Sequence, residues 1–374
     1  MKVYPILATA LVAILMFVSC SKHDYAPVHN TNESKSFFIQ IGKHNVTSRA
    51  EGADMSDKTV TFSDGYLIFT SGDEIGQVIK IVSTTAGDGE VTVSDLKTGA
   101  IIEGIPASTK NVYLYGNLGS SISGIASVAR KGGSLASIEA LTWTLSDIQN
   151  AANDVAKVPV YGKGDVVPGV SNPDRLESKF DVAPIGCRLQ IGEISCSDSR
   201  VSKLTLAGIY INSFYHSMDA GFTLTPGDLV DKGINKSKYP AGGYTDYPTM
   251  SDILTPVDLK AGAATPATTD NYWAYNFLPT SMPHIVLHFT SLEVGGQESP
   301  TDKYATVAQY STSSSGGAGN QFSTAKSGNV YTLNIDISDY EKQVTDLPES
   351  GSTVMGYVEI KIIDWKANTL YPEW

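Results

Sequence analysis

The sequence of 374 residues has only three cysteines and 18% charged residues, and it lacks the motifs of common enzyme classes. It contains no G-x-S-x-G nucleophile elbow, no P-loop and no H-E-x-x-H zinc motif. His284 and His288 are four residues apart, but the residues between them are strand-like, which separates the two positions by about 13 Å. The sequence therefore predicts a protein that is not an enzyme and has no catalytic, cofactor or metal site.

Basic charge is also scarce, because 27 Lys and Arg residues stand against 39 Asp and Glu residues, for a net charge of −12. A surface of this sign repels phosphate backbones, so nucleic acid is not expected as a partner. No apolar segment approaches the roughly 20 residues that a membrane-spanning helix needs. Structural and binding roles are left as the function classes to consider.

Two of the three cysteines, Cys187 and Cys196, lie close together in the sequence. On one extended strand they would be about 30 Å apart, beyond the reach of a disulfide. We therefore expect two buried thiols. The alternative is a disulfide, which would require the chain to fold back between them, with Gly192 as a possible bend.

The first 19 residues have the pattern of a lipoprotein signal peptide. Lys2 precedes an apolar run over residues 6–18 that ends just before Cys20. This run is too short to span a bilayer and is typical of a secretory signal. Acyl chains on Cys20 would anchor the exported chain to lipid. The alternative is an ordinary cleaved signal followed by an incidental cysteine.

Residues 20–49 predict a tether and a detachable strand. A polar stretch over residues 21–35 leads to a strand-like run at 36–41, in which Phe37, Ile39 and Ile41 share one face. The run is followed by Arg49-Ala50, a basic site in a Thr- and Ser-rich context. Arg49-Ala50 is therefore a candidate for proteolytic cleavage.

The body of the chain is dominated by alternating apolar and polar residues. Runs at 110–115, 285–289 and 331–337 are examples, and Gly, Asn, Asp and Pro separate them. Many short strands of this kind predict a mainly β chain of antiparallel sandwiches. One stretch, residues 138–156, has a helical pattern. A loop at 164–175 predicts one domain over residues 50–166 and a second over 167–374.

The C-terminal segment, residues 354–374, has an unusual apolar pattern. Val354, Val358, Ile360 and Ile362 share one face, and after a polar break at 364–368 the pattern returns at Leu370 and Trp374. Chain ends are normally polar and frayed, and an apolar terminal strand invites pairing with another chain. The alternative is a last strand that pairs within its own sheet.

Aromatic residues cluster in the second predicted domain. One cluster contains Tyr239, Tyr244 and Tyr247, and the other is the run 272–275, which includes Trp273. Exposed rings of this kind can stack on sugars. The alternative is that they cover loops and sheet edges of their own domain.

Five features, spread in order along the whole chain, resemble the fimbrillins, the type V pilins of Bacteroidales. They are Cys20, the apolar strand before Arg49-Ala50, and the segments 158–162, 186–191 and 362–374. The resemblance implies a mainly β fold of two transthyretin-like antiparallel β-sandwich domains. It also implies a non-enzymatic structural subunit of a surface pilus that serves adhesion, and it points to the shaft of the fibre.

The resemblance also implies partners and site residues. Acylated Cys20 would hold the precursor in the outer membrane lipid until a trypsin-like protease cuts Arg49-Ala50 and removes the strand. The C-terminal extension would then fill the resulting groove in another copy of the chain or in a related pilin. Its donor residues would be Val354, Val358, Ile360, Ile362, Trp365, Leu370 and Trp374.

Two other functions are weighed against the pilus subunit. A monomeric surface lipoprotein could bind glycan through the Tyr and Trp clusters. An exported hydrolase has no supporting motif.

Overall fold

The computed structural model describes residues 34–41, 52–53, 62–118, 122, 124–150, 159–267, 271–311, 321–350 and 361–363. These residues form a mainly β structure, as the sequence pattern predicts. The strands, in chain order, are β1 Ser34–Ile41, β2 Gly52–Ala53, β3 Gly65–Ser71, β4 Glu74–Val82, β5 Glu90–Thr92, β6 Ala100–Pro106, β7 Asn111–Gly116, β8 Thr142–Thr144, β9 Val160–Asp165, β10 Val167–Pro168, β11 Leu176–Phe180, β12 Val182–Pro184, β13 Cys187–Ser195, β14 Val201–Asn212, β15 Phe214–Tyr215, β16 Ser217–Asp219, β17 Leu229–Val230, β18 Ser251–Asp258, β19 Asn271–Phe277, β20 His284–Val294, β21 Gln297–Glu298, β22 Lys303–Val307, β23 Tyr310–Ser311, β24 Gln321–Phe322, β25 Val330–Asp336 and β26 Lys361–Ile363.

The helices are short. They are α1 Val93–Thr98, α2 Ile125–Val128, α3 Leu135–Glu139, α4 Leu145–Asn150 and α5 Tyr340–Gln343, with 3-10 turns at Pro226–Asp228, Lys236–Lys238 and Pro248–Met250. No helix of the described residues is long and apolar enough to cross a membrane.

Two sheets form the first sandwich. One has the strand order β10-β11-β1-β6 and the other has the order β12-β9-β7-β3-β4-β5. Their facing sides bury a common apolar core that includes Phe37, Ile39, Leu67, Phe69 and Leu114. Because side chains alternate along each strand, only one face of β1 and β6 enters this core.

Two further sheets form the second sandwich. One has the order β2-β19-β13-β25-β26, and the other has the order β18-β14-β20-β21 with β22 also paired to β20. Their core includes Leu189, Leu204, Leu287, Phe289 and Leu333, each at most 1% exposed. The two sandwiches confirm the predicted β-sandwich architecture.

A third apolar cluster joins the outer face of the six-stranded sheet to the short helices and to residues from later in the chain. Ile68 and Tyr113 of the sheet pack in this cluster with Ile138, Met218 and Leu278. The cluster ties the first sandwich to residues of the second half of the chain, since its members come from both.

The first sandwich extends beyond the limit expected at residue 166. Strands β10, β11 and β12 cover residues between 167 and 184, and all three belong to its two sheets. Phe180 of β11 packs over Gly164 of β9, where an added Cβ would lie 2.5 Å from the Phe180 ring. The Pro- and Gly-rich loop that suggested a boundary therefore connects strands of one sandwich, and the change of core falls between β12 and β13.

The stretch 138–156 is not a single helix over the residues that the structure describes. Instead α3 ends at Glu139, β8 follows, and α4 begins at Leu145. Trp143 is completely buried and pairs with Met218 of β16, which holds Thr142–Thr144 extended. Asp147 accepts a hydrogen bond from the Thr144 backbone N–H at 2.8 Å, so α4 starts as a separate turn.

Cys187 and Cys196 are both free and buried. Cys187 opens β13, which lies in the middle of its sheet, and Cys196 directly follows the same strand. Burial raises the pKa of both thiols. The expected pair of buried thiols is therefore confirmed.

Candidate functional site

The candidate site is the position of strand β1, which lies between β6 and β11 in the interior of its sheet. β1 runs antiparallel to β6 and parallel to β11. Phe37 lies opposite Ile102 on one side and Leu176 on the other. We call the space that β1 occupies between β6 and β11 the slot. A strand in the slot has backbone partners on both sides.

The inward face of β1 fills the core of the first sandwich. Phe37 and Ile39 are both 0% exposed. The Phe37 ring meets Phe69 of β3 edge to face, at an interplanar angle of 82°. Ile39 lies in the next inward row, between Ala100 and Ser178. Burial of two side chains of this size is worth about 1.5–3 kcal/mol each, so β1 contributes strongly to this core.

The outward face of β1 is also in contact with its neighbours. The guanidinium of Arg175 lies 5.6 Å from the centroid of the Phe38 ring. Gly99 adopts φ +103°, and a Cβ there would lie 2.6 Å from the Phe38 ring. Gln40 donates a hydrogen bond from Nε2 to the Lys97 carbonyl at 3.4 Å. Glycine at position 99 therefore leaves room for the ring of the half-buried Phe38.

β1 precedes the rest of the described chain and joins it through residues 42–51. The next described strand, β2, pairs with Asn271 and Tyr272 of β19, in the second sandwich. β1 and β2 therefore belong to different sandwiches, although they are close together in the sequence. Arg49 and Ala50 belong to this connection and lie outside the described residues, as does Cys20.

The C-terminal segment is described only at β26. Its backbone pairs antiparallel with β25 at the edge of the second sandwich, with Ile362 opposite Tyr331. The other predicted donor residues lie outside the described residues: Val354, Val358, Ile360, Trp365, Leu370 and Trp374. The described part of the segment thus occupies a sheet edge of its own chain.

Glu349, which lies a few residues before this segment, is held by several contacts. Glu349 has a left-handed backbone, with φ 50°, although it is not glycine. Its carboxylate is hydrogen-bonded to His284 Nδ1 at 2.8 Å and accepts from Asn212 Nδ2 at 2.9 Å. Its backbone N–H donates to Thr306 Oγ1 at 3.1 Å. These contacts offset the backbone strain and hold Glu349 against the second sandwich.

The aromatic clusters lie mostly inside the second sandwich. Tyr239 and Tyr244 are 3% and 5% exposed, and Trp273 and Tyr275 are 2% and 0% exposed. Burial raises the pKa of Tyr239, Tyr244 and Tyr275. The Tyr275 hydroxyl donates to Asp252 Oδ2 at 2.6 Å. Rings buried in this way cannot stack on a sugar. Of the two clusters, the half-buried rings are those of Tyr247 and Tyr272, so most of the aromatic surface needed for the glycan site of the alternative function is inside the protein.

The two histidines of the 284–288 run serve separate contacts. His284 bonds to Glu349, whereas His288 stacks on Tyr304 with ring centroids 5.1 Å apart. His288 Nε2 also lies 3.0 Å from Asp302 Oδ2. Among the described residues no group of three or more His, Cys, Asp and Glu side chains could hold a metal ion.

The walls of the slot were not predicted from the sequence. They are formed by the inward residues of β6 and β11: Ala100, Ile102, Leu176 and Ser178. Their alternation with exposed residues is a readable strand signal. The pairing is not readable, because β1, β6 and β11 are far apart in the sequence.

No protein-family model matches the chain, and no curated protein matches it. Among solved structures it is similar to a fimbrilin from Porphyromonas gingivalis, at 16% identity and a TM-score of 0.46, over 90% of this chain and 97% of that one. It is similar to a candidate cell adhesion protein from Parabacteroides distasonis, at 11% identity and a TM-score of 0.48, over 90% and 98%. It is also similar to a C-terminally truncated tip fimbrial protein from Porphyromonas gingivalis, at 10% identity and a TM-score of 0.42, over 89% and 100%. Likenesses this distant leave the function to be inferred from the chain's own residues.

Proposed function

We propose that the chain is the structural subunit of a surface pilus that serves adhesion and is assembled by donor-strand exchange. It is exported as a lipoprotein precursor anchored through Cys20 and is cut by a trypsin-like protease after Arg49. The C-terminal extension of one subunit then replaces β1 in another copy or in a related pilin. The presence of both a cleavage site and an extension favours a place in the shaft.

The observation that carries this proposal is the position of β1. It is an eight-residue strand that lies between β6 and β11 and has two completely buried side chains. The connection over residues 42–51 joins it to the strands that follow. One cut in that connection separates β1 from the body of the subunit, and every other strand of the first sandwich remains in one chain.

Loss of β1 would leave the sheet with a gap. The strands β6 and β11 would stand two strand spacings apart, or about 10 Å. The backbone groups that bind β1 would lose their partners, and Phe69 would face the empty position of Phe37. Unpaired edges and exposed apolar surface are unfavourable, so the cleaved subunit is driven to accept a new strand.

A strand from another subunit restores both kinds of contact. Main-chain hydrogen bonds give affinity, and alternate side chains enter the inward positions of Phe37 and Ile39. The extension has the required alternation at Val358, Ile360 and Ile362. Its described part, β26, lies at a sheet edge, where its backbone pairs with β25.

The test is electrophoresis of the purified chain after limited proteolysis, with unboiled and boiled samples side by side. The cleaved wild-type chain is expected to give a ladder of multimers that collapses on heating. Arg49→Ala, treated identically, is the matched control and should remain monomeric. A wild-type chain that is cut at Arg49 and still runs only as a monomer would overturn the proposal.

A further inference from the structure

The two ends of β1 differ in how regularly their backbone pairs with a neighbouring strand. Residues 37–41 pair with β11 and the pairing with β6 ends at Ile39, so only residues 37–39 have strand partners on both sides. Among the described residues, Gln40 and Ile41 pair only with β11, without a register shift, and Ser34 and Lys35 pair only with β6. The pairing with β6 is itself irregular there, because the register shifts between Lys35 and Phe37.

The outermost residue pair at the Ser34 end of β1 is weak for a second reason. Ser34 lies opposite Pro106, which has no backbone N–H to donate. Ser34 is exposed, and Lys35 and Ser36 are half-buried, whereas Phe37 and Ile39 are completely buried. Local opening begins where backbone bonds are few and burial is low. The Ser34 end of β1 is therefore expected to open before the Ile41 end.

A cavity adjoins this same end. It has a volume of about 490 Å³. Its lining includes Ser34 and Pro106 of the weak pair, together with Ser71, Glu74, Ser108 and Lys131. The cavity therefore borders β1 at the end where its strand pairing is irregular.

We infer that this cavity is where an incoming donor strand first binds, and that β1 is displaced from its Ser34 end towards Ile41. The inference rests on the proposed function. It adds that a cut after Arg49 does not by itself empty the slot, because β1 remains bound as a separate peptide. Assembly is then a displacement of one strand by another.

The occupant of the cavity is the C-terminal segment of a second copy. That segment covers residues 354–374 and would extend to about 70 Å, whereas the eight residues of β1 span about 26 Å. A strand that fills the slot therefore has residues left over beyond it. The lining is mainly polar, which suits the polar break at residues 364–368 or an exposed backbone.

The experiment follows displacement of labelled β1 from the cleaved chain. The full-length recombinant chain, labelled near its N-terminus, is cut with an arginine-specific protease, and the fragment that ends at Arg49 should co-elute with the body. A synthetic peptide of residues 354–374 is then added, and the release rate of the label is measured. Release of the fragment on cleavage, before any peptide is added, would overturn the inference without affecting the pilus assignment.

A matched pair of variants locates the starting point. Ser108→Tyr places a large ring in the cavity, and Ser94→Tyr makes the same change on the exposed face of α1, near the other end of β1. Ser108→Tyr should slow release about fivefold or more, which corresponds to about 1 kcal/mol. Ser94→Tyr should leave the rate unchanged. Equal rates in the two variants would overturn the inference.

Amide hydrogen exchange on the cleaved wild-type complex gives a readout that does not depend on a variant folding. The amides of residues 34–36 should exchange faster than those of residues 37–41. The reverse order would overturn the inference. If neither the peptide nor a second cleaved subunit displaces β1 from the wild-type chain, both this inference and the proposed function fail.

Discussion

Phe37 of β1 and Phe69 of β3 meet edge to face across the first sandwich, with ring centroids 4.8 Å apart. The two rings belong to opposite sheets, so this contact joins β1 to the six-stranded sheet. Aromatic pairs in this geometry are worth about 0.5–1.5 kcal/mol beyond the burial of their area. The strand proposed for removal is therefore a principal part of the core before cleavage.

Phe37→Ala should lower the free energy of unfolding of the uncleaved chain by about 3–5 kcal/mol, as for other buried aromatic truncations. Phe38→Ala is the matched control, because Phe38 is the adjacent residue of the same type and is only half-buried. Its loss should be about 1 kcal/mol. Urea denaturation of both variants measures the difference. Equal losses would show that the inward face of β1 does not carry the stability.

The sequence predicts the strands of this fold better than their pairing. The alternation at 110–115, 285–289 and 331–337 corresponds to β7, β20 and β25. Each of these strands packs one face on a core, and a period of two follows directly from that geometry. The β-sandwich class is therefore readable from the sequence.

The limits of the first sandwich are not readable in the same way. Residues 164–175 have a loop composition, yet β11 follows them and returns to the sheet of β1. A parallel pair such as β1 and β11 joins segments that are far apart in the sequence, and no local pattern encodes it. For the same reason Leu176 and Ser178 could not be assigned to the slot, although Phe37 and Ile39 could be recognised as one apolar face.

A second prediction concerns the acid stability of the second sandwich. Asp198 is 5% exposed and accepts hydrogen bonds from Arg200 Nη2 at 2.7 Å and from the Tyr340 backbone N–H at 2.9 Å. These bonds, with that of Arg200 foremost, hold the pKa of Asp198 below its usual value of 3.8. A carboxyl with a lowered pKa stabilises the folded state above its unfolded pKa, and this stabilisation is lost as the pH falls through the folded pKa.

Asp198→Asn should therefore lower the free energy of unfolding at pH 7 by about 2 kcal/mol, the range of hydrogen bonds to charged groups. The difference from the wild type should shrink as the pH falls below about 4. Glu103→Gln removes the same charge from an exposed position on β6 and is the control. Thermal unfolding over a pH series measures both. A constant difference between pH 7 and pH 3 would contradict the prediction.

The third prediction is the maturation bond. Brief treatment of the recombinant precursor with trypsin should give a product that begins at Ala50, and Arg49→Ala should abolish it. Arg130→Ala is the control, because Arg130 is exposed but lies in a turn closed by a hydrogen bond from the Gly133 N–H to its carbonyl. N-terminal sequencing of the products decides the matter. A different dominant N-terminus, or full resistance of the Arg49-Ala50 bond, would count against the site.

The fourth prediction is acylation of Cys20. Labelled fatty acid should enter the precursor in cells, and the label should disappear in Cys20→Ala. Cys196→Ala is the control, because Cys196 is buried in the second sandwich and should not affect labelling. Label that persists in Cys20→Ala would show that the lipid is attached elsewhere or that the signal is an ordinary one.

The last prediction concerns the C-terminal extension, on which assembly depends. Changing Ile360 and Ile362 to Asp should leave a folded subunit that is cut at Arg49 and does not polymerise, because two charges would have to enter the inward positions of the slot. Changing Glu359 and Lys361 to Ala alters the opposite face of the same stretch and should leave polymerisation intact, since alternate side chains point away from the pockets.

The same variants distinguish a strand that is donated to another subunit from a strand that only pairs within its own chain. β26 pairs with β25 of its own chain through residues 361–363. If this pairing were its whole function, Ile360→Asp/Ile362→Asp would lower the thermal stability of the second sandwich, and cleaved subunits would still form heat-sensitive ladders. A donor strand gives the opposite combination: little change in monomer stability and loss of the ladder.

Deletion of residues 370–374 should also leave a stable monomer that forms no ladder, because Leu370 and Trp374 continue the apolar face beyond the polar break. Ladders formed by such truncated subunits would remove the mechanism proposed for the fibre.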